Sequence, residues 1–253
     1  MNQKFKHFLC SFSGFAVLIV LWQIVYEFKF IDSRLFPSSA QVFSKLLSFF
    51  EHQETVVDIY STLYRTVFGF VLAVALAIPT GIFVGMYQPA YRMFRSTIDF
   101  FRSLPATAMF PLFLLFFGIG DGSKIAISAF IAFWVILVNT LYGVQYTSKQ
   151  RRLVARSLGA SAEQVFRGVV LYETLPSIMV GLRTGLSLSL IAVVVSEMFI
   201  GSNSGLGQKI YDAYVTYESV DLLAWLVITG MVGFVINKVF VFVDTRLLHW
   251  VDK

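Results

Sequence analysis

Long uncharged, apolar runs recur along the chain with short charged segments between them. Each run approaches the roughly 20 residues that a helix needs to cross the hydrocarbon of a bilayer. They predict six membrane-spanning helices at about 8–28, 64–87, 100–118, 124–146, 179–200 and 222–244, with a long polar connection at about 147–178. Little sequence remains for a separate soluble unit, so residues 1–253 read as one all-α, polytopic membrane domain. The first run follows Lys4 and Lys6, yet it is longer than a signal-peptide core and lacks an A-x-A exit, so it reads as an uncleaved span.

Finer patterning predicts how the runs pack. After the first span, Pro37-Ser38-Ser39-Ala40-Gln41 offers Ser38 as an N-cap with Gln41 three residues on, ahead of a stripe of Val42, Phe43, Leu46, Leu47 and Phe50. This predicts a helix lying at the membrane interface. In the second span Gly69, Ala73, Ala77, Gly81 and Gly85 recur every fourth residue, a seam along which another helix backbone can approach; Gly181, Gly185 and Ser189 repeat it in the fifth. Pro79 and Pro105 each lack a backbone N–H and are expected to bend or break their helices.

The polar connection is helical by composition and breaks at Leu158-Gly159-Ala160, where Gly159 suits the left-handed conformation that ends a helix. Ser161-Ala162-Glu163-Gln164 follows as a capping box, so helix, sharp turn and second helix are expected to project from the membrane. Connections of this length are functional or disordered, and the caps argue for order. Such a turn suits the groove of a cytoplasmic protein; the plainer reading is a spacer between spans.

Charge then fixes orientation. The chain carries a net charge of +5 with only 14% charged residues, and its basic side chains lie in short segments between spans rather than on one face, which sets nucleic acid aside. With the amino terminus inside, fourteen of the twenty Lys and Arg residues fall on the cytoplasmic side, which places both termini there. A single cysteine, Cys10, excludes an intrachain disulfide, and His7, His52 and His249 are too scattered for a metal site.

Two segments invite a chemical reading. Gly118-Ile119-Gly120-Asp121-Gly122-Ser123-Lys124 looks like a phosphate-cradling loop but fails the G-x-x-x-x-G-K-[ST] spacing, since Ser123 and Ile125 stand where glycine and Ser or Thr are required. It reads as an extracytoplasmic turn, no nucleotide site is expected in this chain, and any ATP must be handled by a partner. Glu197, near the end of the fifth span, lies within about 40° of Arg183 around a helix and about 21 Å from it. Its face, with Ser189 and Ser196, either borders a translocation route or leaves Glu197 at the outer interface. Asp99 and Arg102 are expected to anchor the third span at the headgroups.

Leu153-Val154-Ala155-Arg156-Ser157-Leu158-Gly159-Ala160, followed by Val169-Val170-Leu171-Tyr172, resembles the EAA loop of binding-protein-dependent ABC importer permeases. Ala155 and Gly159 match; Leu153 replaces the glutamate, Val154 the first alanine, Val169 the isoleucine and Tyr172 the proline. Pro37-Ser38-Ser39, Leu104-Pro105 through Gly120, and Ser196-Glu197-Met198-Phe199 leading to Ser204-Gly205-Leu206-Gly207 are similar to the nitrate/sulfonate/taurine/bicarbonate branch, over nearly all of the chain from about residue 30. The resemblance implies a type I ABC importer transmembrane fold in a bacterial inner membrane and a permease dimer, either a homodimer or a heterodimer with a sister permease. Its partners would be two cytoplasmic ATPase subunits that bind ATP and Mg, and a periplasmic or lipid-anchored substrate-binding protein. Ala155, Leu158, Gly159 and Ala160 would be the turn that couples to the ATPase, without the polar contact of the missing glutamate. The cargo would be a small anion or a heterocyclic vitamin precursor. A self-contained secondary transporter or channel is the alternative, although the span centres are mostly apolar. An intramembrane enzyme would need a nucleophile with its base, or a metal cluster, and the sequence offers neither.

Overall fold

The computed structural model describes the backbone of residues 3–248 and the side chains of residues 13–248. The topogenic Lys4, Lys6 and Lys253, together with His7, Cys10 and His249, lie outside the described side chains. All regular structure among the described residues is helical. The helices are α1 (Gln3–Glu27), α2 (Ser39–Phe49), α3 (Gln53–Met86), α4 (Gln88–Ser103), α5 (Phe110–Phe117), α6 (Asp121–Gln145), α7 (Lys149–Ser157), α8 (Ala162–Val165), α9 (Leu171–Ile200), α10 (Leu206–Val215) and α11 (Ser219–Leu247).

Helix α6 is the centre of the bundle, with α3 on one side and α9 on the other. The seam of small residues explains how they meet. A Cβ placed on Gly81 would sit 2.8 Å from Thr140 Cβ, and one on Gly85 2.8 Å from Val144 Cβ. Gly181 approaches Asn139 and Gly185 approaches Ile136 in the same way on the α9 side. Larger side chains along either seam would force the helices apart, at about 1–3 kcal/mol per overpacked site. Ala73, Ala77, Ala132, Ile136, Leu137 and Leu141 fill the contact.

A second cluster joins α2, α10 and α11 to the outer half of α9. Ser38 caps α2 as expected: its hydroxyl accepts from Gln41 N while the Gln41 side chain accepts from Ser38 N. The α2 stripe is rotated from expectation. Val42, Leu46 and Phe49 face inward, with Phe49 stacked on Trp225 at 4.3 Å, and Phe43, Leu47 and Phe50 are exposed.

Four described helices are long and apolar enough to cross a membrane: α3, the 39-residue run Ala162–Ile200 that contains α9, α6 and α11. A fifth arises if the pair Gln88–Ser103 and Ala106–Phe117, bent by 90°, counts as one. Pro105 causes that bend by lacking a donor and holding Leu104 in an extended conformation, so the third apolar run is not one straight helix. Pro79, by contrast, sits inside α3 without ending it. Asp99 and Arg102 pair with each other at 3.5 Å, both half exposed.

Candidate functional site

The turn between α7 and α8 is built as the sequence predicts and fastened more firmly. Gly159 adopts φ +84°, a region that costs other residues about 1–2 kcal/mol. Gly159 N donates to Arg156 O at 2.9 Å and Ala160 N to Ala155 O at 3.1 Å, the paired bonds of a Schellman ending. Ser161 then starts α8 with a complete capping box, its side chain accepting from Gln164 N and that of Gln164 accepting from Ser161 N. At the other end of α7, Ser148 is the N-cap and accepts from Arg151 N.

Three bonds pin this hairpin to the bundle. Ser148 N donates to Glu173 Oε2 at 2.7 Å, Arg151 Nε pairs with Glu173 Oε1 at 2.8 Å, and Arg152 Nη2 donates to Val144 O at 2.9 Å. The second arm is no spacer: α8 runs through one wide, π-type turn, Phe166–Val170, directly into α9. Of the four predicted coupling residues, Leu158 and Gly159 form the exposed tip, and Ala155 and Ala160 are half-buried beneath it.

At the opposite end of the bundle lies a polar network that the apolar runs concealed. Glu197 is fully buried. Its Oε1 accepts from Arg65 Nη1 at 2.6 Å and its Oε2 from Gly207 N at 2.9 Å, while Thr62 Oγ1 donates to both oxygens at 3.0 Å. Arg65 also donates from Nε to Asp121 Oδ1 at 2.8 Å and from Nη1 to Ser204 O at 2.8 Å. Asp58 Oδ1 accepts from Gly205 N at 2.8 Å. Buried Lys124 donates from Nζ to Ile119 O and Gly120 O, each at 3.2 Å. Lys209 of α10 faces Asp58 Oδ2 at 3.7 Å and Glu54 Oε2 at 4.0 Å, and the network ties α3, α6, α9 and the loop before α10 together. Glycine is required where the loop closes, because a Cβ on Gly205 would meet the Glu197 carboxylate.

Ser189, Ser196 and Glu197 therefore do not border an opening in this chain. All three are 0% exposed. Ser196 Oγ donates to Val193 O, and Glu197 is covered by α3 and the loop before α10. Arg183, expected on the same face as Glu197, is exposed and donates from Nε to Asn237 Oδ1 of α11 at 2.9 Å. That face of α9 is covered at one end and open at the other. The apolar runs do not announce Arg65 and Thr62 as the side-chain partners of Glu197, nor Asp58 as the acceptor for Gly205 N beside them. Their spacing does place them on the α3 face that continues into the small-residue seam, which was the available signal.

Residues 77–253 match the family described as "Binding-protein-dependent transport system inner membrane component". The chain is 30% identical over 253 residues, 100% of each protein, to a probable ABC transporter permease protein of Brucella abortus. It is 30% identical over 242 residues to the nitrate import permease protein NrtB of Synechocystis sp., covering 92% of this chain and 86% of that one. Among solved structures, an inward-facing MetNI methionine ABC transporter chain superposes with a TM-score of 0.64 at 21% identity, over 78% of this chain and 96% of that chain, a likeness of fold.

Proposed function

Because this chain belongs to the binding-protein-dependent transport system inner membrane component family, as a multi-pass permease subunit of an ATP-driven importer, we propose that its cargo is a nitrate-, sulfonate-, taurine- or bicarbonate-like anion or a small heterocyclic vitamin precursor. Its all-α, polytopic fold is that of the type I importer permeases. Transport proceeds by alternating access in a dimer of this chain, with both termini cytoplasmic, two ATPase subunits below and a substrate-binding protein above. ATP and Mg are held by the ATPase subunits; the chain makes six spans at about 8–28, 64–87, 100–118, 124–146, 179–200 and 222–244, and the coupling loop at about 147–178 joins the fourth to the fifth.

The observation that carries this reading is the exposed, rigidly fastened turn at Leu158-Gly159. A partner shifts a two-state bundle only through contacts that differ between the states, and this turn offers such a contact. Ala155, Leu158, Gly159 and Ala160 form the coupling element. The route for cargo runs along the open face of α9, where Arg183, Thr184, Ser187 and Ile191 are exposed, rather than past Ser189, Ser196 and Glu197.

Copurification tests the docking role. A tagged wild-type chain is expected to retain an ABC ATPase subunit in mild detergent, and Gly159→Trp to lose it while keeping its helical content, with a thermal midpoint lowered by no more than the strain of about 1–2 kcal/mol at this φ. Full retention by Gly159→Trp would sink the assignment of the turn.

A further inference from the structure

We propose that the docking turn fits an ATPase groove with an apolar floor and a rim of carboxylates. The inference rests on the turn being the ATPase-docking element and specifies the chemistry of its partner. Leu153, Val154 and Leu158 are 62%, 59% and 83% exposed. At 100° per residue they share a sector of about 140° around α7. Lys149 and Arg156, both exposed, line one edge of that sector, and Arg151 lies at the other. The half-buried Ala155 and Arg152 occupy the opposite side, toward the bundle.

No acidic residue occurs from Lys149 to Ala160. The nearest carboxylates are already engaged, Glu163 by Arg167 at 2.8 Å and Glu173 by Arg151 at 2.8 Å. The exposed, uncharged Gln150 and Ser157 fall within the same sector, so the surface offered to a partner is Leu153, Val154 and Leu158 set among neutral polar groups, with free cationic charge along the Lys149 and Arg156 edge and no free negative charge. An apolar floor removes the leucines from water, and carboxylates at the rim complement Lys149 and Arg156 without facing a like charge. A lipid surface is a poorer occupant: α7 has only nine residues and is held to the bundle through Ser148, Arg151 and Arg152, so it is not free to roll onto a membrane.

The test uses the full-length chain in lipid nanodiscs with the ABC ATPase that copurifies with it, identified by mass spectrometry. Leu153→Glu is expected to weaken association by about 30-fold, because a carboxylate would be buried in an apolar floor and face an acidic rim. Leu153→Met is expected to stay within about threefold. Arg156→Glu is expected to weaken association by about tenfold and to flatten its dependence on salt. Leu153 is exposed, so unchanged helical content and thermal midpoint serve as the folding control. Equal or tighter binding by Leu153→Glu, revealing a neutral or cationic groove at that position, overturns the inference and leaves the docking role standing. Absence of any ABC ATPase on the wild-type chain removes the docking role itself, and this inference with it.

Discussion

Arg65 shows how much one side chain can hold. Its guanidinium joins α3 to Glu197 of α9, to Asp121 of α6 and to the carbonyl of Ser204. Removing it leaves a fully buried carboxylate facing only Thr62 and the Gly207 N–H. Arg65→Ala is therefore expected to cost about 3–5 kcal/mol, the usual penalty for breaking one side of a buried ion pair. The midpoint of thermal unfolding in detergent should fall accordingly, and Arg65→Leu with Glu197→Leu should recover much of the loss. A wild-type midpoint for Arg65→Ala would show that water reaches Glu197. None of these pairings was legible in the sequence, where Arg65 is one more charge at the outer edge of a span. Its partners stand 56 and 132 residues away, and nothing in local spacing names them.

Among the elements, α9 carries two environments on one helix. Ser189 is fully buried, whereas Ser187, two positions earlier, faces outward with its hydroxyl on Arg183 O. In a Cys10→Ser background, Ser187→Cys is expected to react with a membrane-impermeant thiol reagent in transport-competent vesicles and Ser189→Cys to resist it. Equal reactivity would remove the proposed route. The elements themselves were largely legible: apolar runs located the long helices, Ser38 and Ser161 announced their caps, and Gly159 marked the turn. Two boundaries were not. The fifth helix extends well before its apolar run because Glu173 and Arg183 find partners in Arg151, Ser148 and Asn237, so charge does not end it. The third run, uncharged from Ser103 to Gly120, is broken by the backbone demands of Pro105.

For the whole molecule, the seams on α6 and the Arg65 network make α3, α6 and α9 one body, with the α7 turn fixed to it through Glu173 and Arg152. Spin labels at Leu158 and Phe199, both exposed, should therefore report one narrow distance that ATP binding by the partner leaves unchanged. In the proposed dimer, the distance between the Leu158 positions of the two copies should change. An intramolecular distance that moves by more than a few ångströms would mean the body flexes within itself. The unbroken course from Ala162 to Ile200 has a further consequence. At 1.5 Å per residue those 39 residues extend about 58 Å, so a tilt of about 10° around the midpoint displaces either end by about 5 Å. That is close to one pitch of a helix, which allows a small angular movement imposed at the turn to open or close a passage at the far end by a full step of side-chain packing.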